Sequence, residues 1–79
     1  MNIRVLCFAG LRERLGRSDF PKEVPAGSTP RSVLLGLLGD ADAARAAGVA
    51  YAVNLQHVAA DHELREGDQV AFLPPVSGG

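Results

Sequence analysis

The six residues Pro74-Pro75-Val76-Ser77-Gly78-Gly79 carry the most suggestive chemistry in the chain. Two successive glycines remove every Cβ from the last two positions, so this segment can thread a channel too narrow for side chains. The Gly79 carboxylate is then sterically open to activation and attack. Pro74 and Pro75 fix φ and cannot donate to a sheet ladder, so they end the preceding strand and stiffen an extended path. A Gly-Gly end alone also suits a frayed terminus, and roughly one chain in 200 would carry it by chance at about 7 % average glycine usage. The Pro-Pro spacer is what turns it into a clue. Residues 1–73 are expected to form a domain that presents residues 74–79 as an extended, flexible tail.

Other chemistries find less support. His57 and His62 lie five apart beside Asp61 and Glu63, a set able in principle to ligate Zn²⁺. These residues fall on expected turns that fix no geometry, and no cysteine joins them, so no metal site is expected. Cys7 sits within an apolar strand pattern, where an inert buried thiol is expected over a reactive one. Ser77 has no histidine near it in the tail, and the carboxylates sit on turns where water solvates them. Neither GxGxxG nor a GxxxxGKS or GxxxxGKT run occurs, which leaves no phosphate-cradling loop. No enzyme active site is read from these residues.

The bulk properties agree with a small globular domain. Seventy-nine residues allow one core, with roughly 60–65 % of the unfolded surface buried. The apolar fraction of 47 % and charged fraction of 22 % are ordinary for such a domain. A net charge of −1 with scattered signs argues against nucleic acid, which needs a basic stripe to replace counterions. No apolar stretch approaches the 18 or so residues of a membrane span. The run from Val5 to Leu11 is broken by Arg12-Glu13-Arg14 and reads as a strand rather than a signal peptide. With Cys7 as the sole cysteine there is no intrachain disulfide, and a reducing cytoplasm fits.

The elements that must position the tail follow from periodicity. Ile3, Val5 and Cys7 alternate with Arg4, Leu6 and Phe8, predicting a first strand with its odd positions in the core. Leu6 and Phe8 then lie on the outer face as a partner surface, unless Phe8 folds over the sheet edge into the core. Ala9 to Gly16 is a helical turn or a loop. Residues 18–25 form a second strand, placed at a sheet edge by Pro21 and joined to the first as a hairpin. Ser28 or Thr29 caps a helix that opens with Pro30, buries Val33, Leu34, Leu37 and Leu38, and ends near Gly39. Asp40 to Gly48 is a second short helix or a loose loop.

Ala50 to Leu55 reads as a third strand with Tyr51, Val53 and Leu55 on one face, followed by a turn at Gln56-His57 and a short strand at Val58. A polar connection with a tight turn at Glu66-Gly67-Asp68 leads to the last strand, 69–73. One main helix between an early hairpin and later strands belongs across one face of a mixed sheet. The fold class is thus α+β, with the first and last strands parallel at the centre in the β-grasp layout. The uncovered face, where Phe8 and either Phe72 or Leu73 project, is left to a partner.

Several motifs taken together carry a family resemblance. Ile3-Arg4-Val5-Leu6-Cys7-Phe8-Ala9 with Leu11-Arg12-Glu13, then Ala52-Val53-Asn54, Val58, Asp61, Leu64, Gly67-Asp68, Val70-Ala71-Phe72, Pro74-Pro75-Val76 and Gly78-Gly79 stand in register over the full length. The chain resembles the small-subunit family of molybdopterin synthase (MoaD), the ubiquitin-like sulfur carriers of β-grasp fold. Gln69 replaces a usual acidic residue, and segment 39–49 is shorter than in many relatives.

The resemblance implies a mechanism in which the acid–base residues belong to partners. A MoeB-like adenylyltransferase related to ubiquitin-activating enzymes would use ATP·Mg to form an acyl-adenylate at Gly79. A sulfurtransferase acting through a persulfide would convert this to a thiocarboxylate. The tail would then enter the large, MoaE-like synthase subunit, in a heterotetramer, and give its sulfur to cyclic pyranopterin monophosphate to build the molybdopterin dithiolene. Gly78 and Gly79 would supply reach and slimness, and Pro74, Pro75, Val76 and Ser77 the approach. Phe8 and Leu73 would anchor the partner, and no cofactor would be bound permanently. Two alternatives stay open. One is a sulfur carrier for thiamine synthesis or tRNA thiolation, which the Pro-Pro-Val approach disfavours. The other is a β-grasp interaction module or protein modifier without sulfur transfer.

Overall fold

The computed structural model describes residues 1–39 and 48–74. Ile3, Val5 and Cys7 are almost sealed from solvent while Asn2 and Arg4 are exposed. That alternation builds β1 (Asn2–Cys7) with its odd positions in the core, as expected. The strand stops one residue short of Phe8, which instead caps a helix. The stretch expected as one turn or a loop is α1 (Ala9–Leu15), about two turns long. Leu11 is its buried residue, and Gly16, at φ 72°, closes it by donating its N–H to the Arg12 carbonyl at 2.9 Å.

β2 (Asp19–Glu23) runs antiparallel to β1, with Phe20 opposite Val5 and Pro21 opposite Arg4. Cys7 N–H donates to Ser18 O at 2.9 Å and Val24 N–H to Met1 O at 2.8 Å. Even-numbered residues therefore bond to β1, and the N–H that Pro21 lacks would have pointed away from the sheet. Its edge position costs no ladder bond.

α2 (Pro30–Leu38) begins at a reciprocal cap. Ser32 N–H donates to Thr29 Oγ1 at 3.1 Å, and Thr29 N–H donates to Ser32 Oγ at 2.8 Å. Such a box is worth about 1 kcal/mol. Pro30, Val33, Leu34 and Leu38 are buried and Leu37 half-buried, so the helix lays the expected stripe on the sheet.

The last three strands are β3 (Ala50–Val53), β4 (Gln56–Val58) and β5 (Gln69–Leu73). The five strands lie in the order β2-β1-β5-β3-β4, with β1 parallel to β5 at the centre and the other pairs antiparallel. This is the expected β-grasp arrangement. Tyr51 meets Phe72 edge to face, with centroids 6.0 Å apart. Leu64, the single apolar residue between Asp61 and Asp68, is buried in the core.

Two expectations around β3 need correction. The strand ends at Val53 rather than Leu55, and the turn is Asn54-Leu55 rather than Gln56-His57. Both turn residues have positive φ, 51° and 71°, the requirement of a type I′ hairpin, whose twist matches the strands it joins. Strict alternation also fails, because Tyr51, Ala52 and Val53 are all buried. β3 is flanked on both sides, and Ala52 is small enough for its neighbours to cover. The short helix or loop expected at Asp40 to Gly48 falls, apart from Gly48, outside the described residues.

Candidate docking face and tail exit

β5 delivers the chain to the tail. Val70 and Phe72 are fully buried, Leu73 is half-buried and Pro74, the last described residue, is exposed. Because β5 bonds to β1 on one side and β3 on the other, the root of the tail is fixed by two ladders. Of the two residues expected to project from the open face, the structure selects Leu73, and Phe72 belongs to the core. Pro75, Val76, Ser77, Gly78 and Gly79 lie outside the described residues.

The face opposite α2 is apolar near this exit. Leu6, Ala71 and Ala52 stand side by side across β1, β5 and β3, and Ala50 pairs with Leu73 one step nearer the tail. Asp19 and His57 flank the first row as register partners of Leu6 and Ala52. Cys7 pairs with Phe72, so Phe8 and Leu73 are the next residues along their two chains, both at the tail end.

Phe8 remains 46 % exposed. It has not folded into the core, and of its two expected placements the solvent-facing one is realised. Its route there differs from a continued strand: Phe8 is extended, at φ −129°, and Ala9 turns through φ 50° to open α1. A non-glycine residue seldom adopts this conformation. The exposed ring thus sits on ordinary extended backbone, and the residue after it carries the unusual conformation.

The remaining ionisable groups have structural surroundings. The Cys7 thiol is buried and its pKa is pushed up by desolvation, partly opposed by the Arg17 charge. At neutral pH it stays protonated and is a poor nucleophile. Arg4 Nε pairs with Asp19 Oδ1, which raises the guanidinium pKa further. Both side chains are about half exposed, so the pair adds little stability. Among the described residues no group of three His, Cys, Asp or Glu side chains could hold a metal ion. His57 and His62 are exposed. No described helix is long and apolar enough to cross a membrane.

Sequence reasoning missed a polar lock at the other end of β5. Asn54 Nδ2 donates to Asp68 Oδ1 at 2.9 Å, and Gln69 N–H donates to Asn54 Oδ1 at 3.0 Å. Arg65 N–H donates to Asp68 Oδ2 at 2.8 Å, and Arg4 N–H to the Asp68 carbonyl at 2.9 Å. The signal available was Asn54 itself, a residue type that tolerates left-handed backbone.

The model described as the ThiS family matches residues 5–79. The chain belongs to the ThiS family. Two relatives are similar to it over nearly their whole lengths. The molybdopterin synthase sulfur carrier subunit of Escherichia coli (strain K12) is 36 % identical, covering 98 % of this chain and 99 % of the relative. That of Arabidopsis thaliana is 32 % identical, covering 100 % of this chain and 84 % of the relative. The fold is also similar to that in the crystal structure of SAMP1 (small archaeal modifier protein 1) from Haloferax volcanii. That match has a TM-score of 0.77 and 25 % identity, with both chains covered in full.

Proposed function

We propose that this chain is a sulfur carrier subunit of molybdopterin synthase, working through the Gly79 carboxylate as a carrier rather than as an enzyme with its own active site. The observation that carries this reading is the end-to-end similarity to curated sulfur carrier subunits. In support, the structure roots Pro74 on the central strand β5, beside an apolar face that α2 leaves open.

A carboxylate is a poor electrophile at neutral pH. An E1-like adenylyltransferase with ATP·Mg would join it to AMP and release pyrophosphate. The terminal sulfur of a persulfide on a sulfurtransferase would then attack the acyl carbon and expel AMP. A second thiol would cleave the remaining S–S bond and leave a Gly79 thiocarboxylate. Residues 74–79 would act as a slender extended tail that carries this sulfur into the large synthase subunit, where cyclic pyranopterin monophosphate receives it. Phe8 and Leu73 would anchor that subunit beside the tail.

The likeness to SAMP1 favours a second reading, in which the same activated Gly79 is attacked by a lysine amine and forms an isopeptide bond. Intact-mass measurement after incubation with adenylyltransferase, ATP and a persulfide donor separates the two. The carrier reading expects one sulfur-for-oxygen exchange, mapped to the C-terminal peptide and lost on deleting Gly79. The deletion should unfold as cooperatively as the parent, because the buried core spans Ile3 to Phe72. An unmodified mass with intact ATP would end the carrier reading, and a lysine-linked conjugate would establish the modifier.

A further inference from the structure

Lys22 is the only lysine in the chain, and the fold sets it in a cleft rather than on open surface. It stands opposite Ile3 in the β1–β2 register, between the buried Phe20 and Val24 on the same face of β2. Its side chain therefore leaves the sheet on the α2 side, where it is half-buried. A cleft of about 300 Å³ lies there between β2 and α2, with Lys22, Glu23, Ser28, Ser32, Val33 and Gly36 in its lining.

Two further features suit this cleft to an extended, slender chain. β2 is the terminal strand of the sheet. Because its even-numbered residues bond to β1, the carbonyls of Pro21 and Glu23 point to the free edge, where they can accept N–H groups from an added strand. Gly36 lies within α2, where glycine weakens a helix relative to alanine, yet a Cβ there would meet nothing within 4 Å. The fold itself does not need a glycine at that wall; a backbone passing close over it does.

We infer that Lys22 is an acyl-acceptor site for the Gly78-Gly79 end of a second copy of this chain. The occupant's carboxylate complements the Lys22 ammonium, and its last two residues bring no side chain into the cleft. Within one chain the match fails on length. Lys22 is level with the start of β5, so Pro74 lies roughly 20 Å along the sheet and two strands across. Residues 75–79 span about 17 Å at full stretch, with no slack to turn back. Once Gly79 is an acyl-adenylate, the Lys22 amine attacks the acyl carbon as the free base. The C–N bond forms, the C–O bond to phosphate breaks, AMP leaves with the electron pair and the proton goes to water. One tail and one lysine per chain give unbranched multimers. The Met1 amine, the other amine of the chain, donates to the Val24 carbonyl at 2.7 Å.

The inference rests on activation of Gly79 by the adenylyltransferase, the step that the carrier and modifier readings share. The test incubates the full chain with the cognate adenylyltransferase and ATP·Mg, without persulfide, and reads intact masses. A parallel sample with hydroxylamine traps the adenylate as a Gly79 hydroxamate. Multimers are expected, each link one water lighter than its parts, with Gly79 joined to Lys22 in the digested peptides. Lys22→Arg keeps the charge and should lose the multimers with hydroxamate unchanged. Gly36→Leu fills the cleft with a better helix former, so it should melt at or above the parent temperature and cut multimer yield tenfold or more. Hydroxamate without multimers, links through the Met1 amine, a monomer lighter by one water, or equal yield from Gly36→Leu would each overturn the site and leave the carrier reading intact. Absence of hydroxamate would overturn the activation of Gly79, and both readings with it.

Discussion

Asn54 and Asp68 are joined by a 2.9 Å hydrogen bond that ties the β3–β4 turn to the start of β5. With the Asn54 and Gln69 bonds it fixes which residue of β5 stands opposite Val53, namely Val70. Because side chains alternate along a strand, a one-residue slip would turn Phe72 out of the core and drive Leu73 in. The lock thereby sets which residues of β5 face the core.

Removing it should therefore cost stability without removing the fold. Asn54→Ala loses both amide bonds and places an alanine at φ 51°. The bonds are exposed, so a cost of about 1–2 kcal/mol is expected in urea unfolding. Asn54→Gly loses the same bonds but relieves the backbone, and should recover about 0.5–1 kcal/mol of that. Equal stability of parent and Asn54→Ala would show that the lock is ornamental.

Cys7 links stability to pH. Its thiol pKa is raised in the folded state by burial, so folding favours the protonated form. The stabilisation is complete below the unfolded thiol pKa, about 8.5, and is lost as pH rises through the higher folded value. The chain should lose stability on the alkaline side of about pH 8.5, and Cys7→Ala should flatten that part of the curve. Thiol reagents at neutral pH should label Cys7 only as fast as the chain opens. Rapid stoichiometric labelling of the folded protein would contradict its burial.

Much of the fold was legible because the strong signals were local. The odd positions of β1, the Thr29-Pro30 helix start, the edge position forced by Pro21 and the punctuation at Glu66-Gly67 each have a local physical cause. β3 was misread because Leu55 continues an apolar alternation that the left-handed turn at Asn54 interrupts, and periodicity does not see φ. Phe8 was ambiguous for a related reason. Whether its ring faced solvent or folded over the sheet edge into the core turned on how the chain leaves β1, and that exit runs through the positive φ of Ala9, which alanine does not advertise. The Asn54–Asp68 lock spans 14 residues and joins two turns that the sequence treats separately.

Phe8 and Leu73 allow the open face to be tested apart from the tail. Phe8 is 46 % exposed, and at the start of α1 its carbonyl accepts the Leu11 N–H at 3.2 Å. Phe8→Asp keeps that backbone bond, and an acidic residue suits a helix start. Thermal unfolding should change by no more than about 1 kcal/mol. Leu73→Asp is a harsher change, because Leu73 is half-buried and pairs with Ala50 at the root of the tail. It should cost about 1–2 kcal/mol through lost apolar burial. If the face docks the large synthase subunit, Phe8→Asp should weaken that complex tenfold or more in titration calorimetry while its melting temperature stays near the parent's. Unchanged affinity would remove Phe8 from the interface and leave the tail to carry the binding.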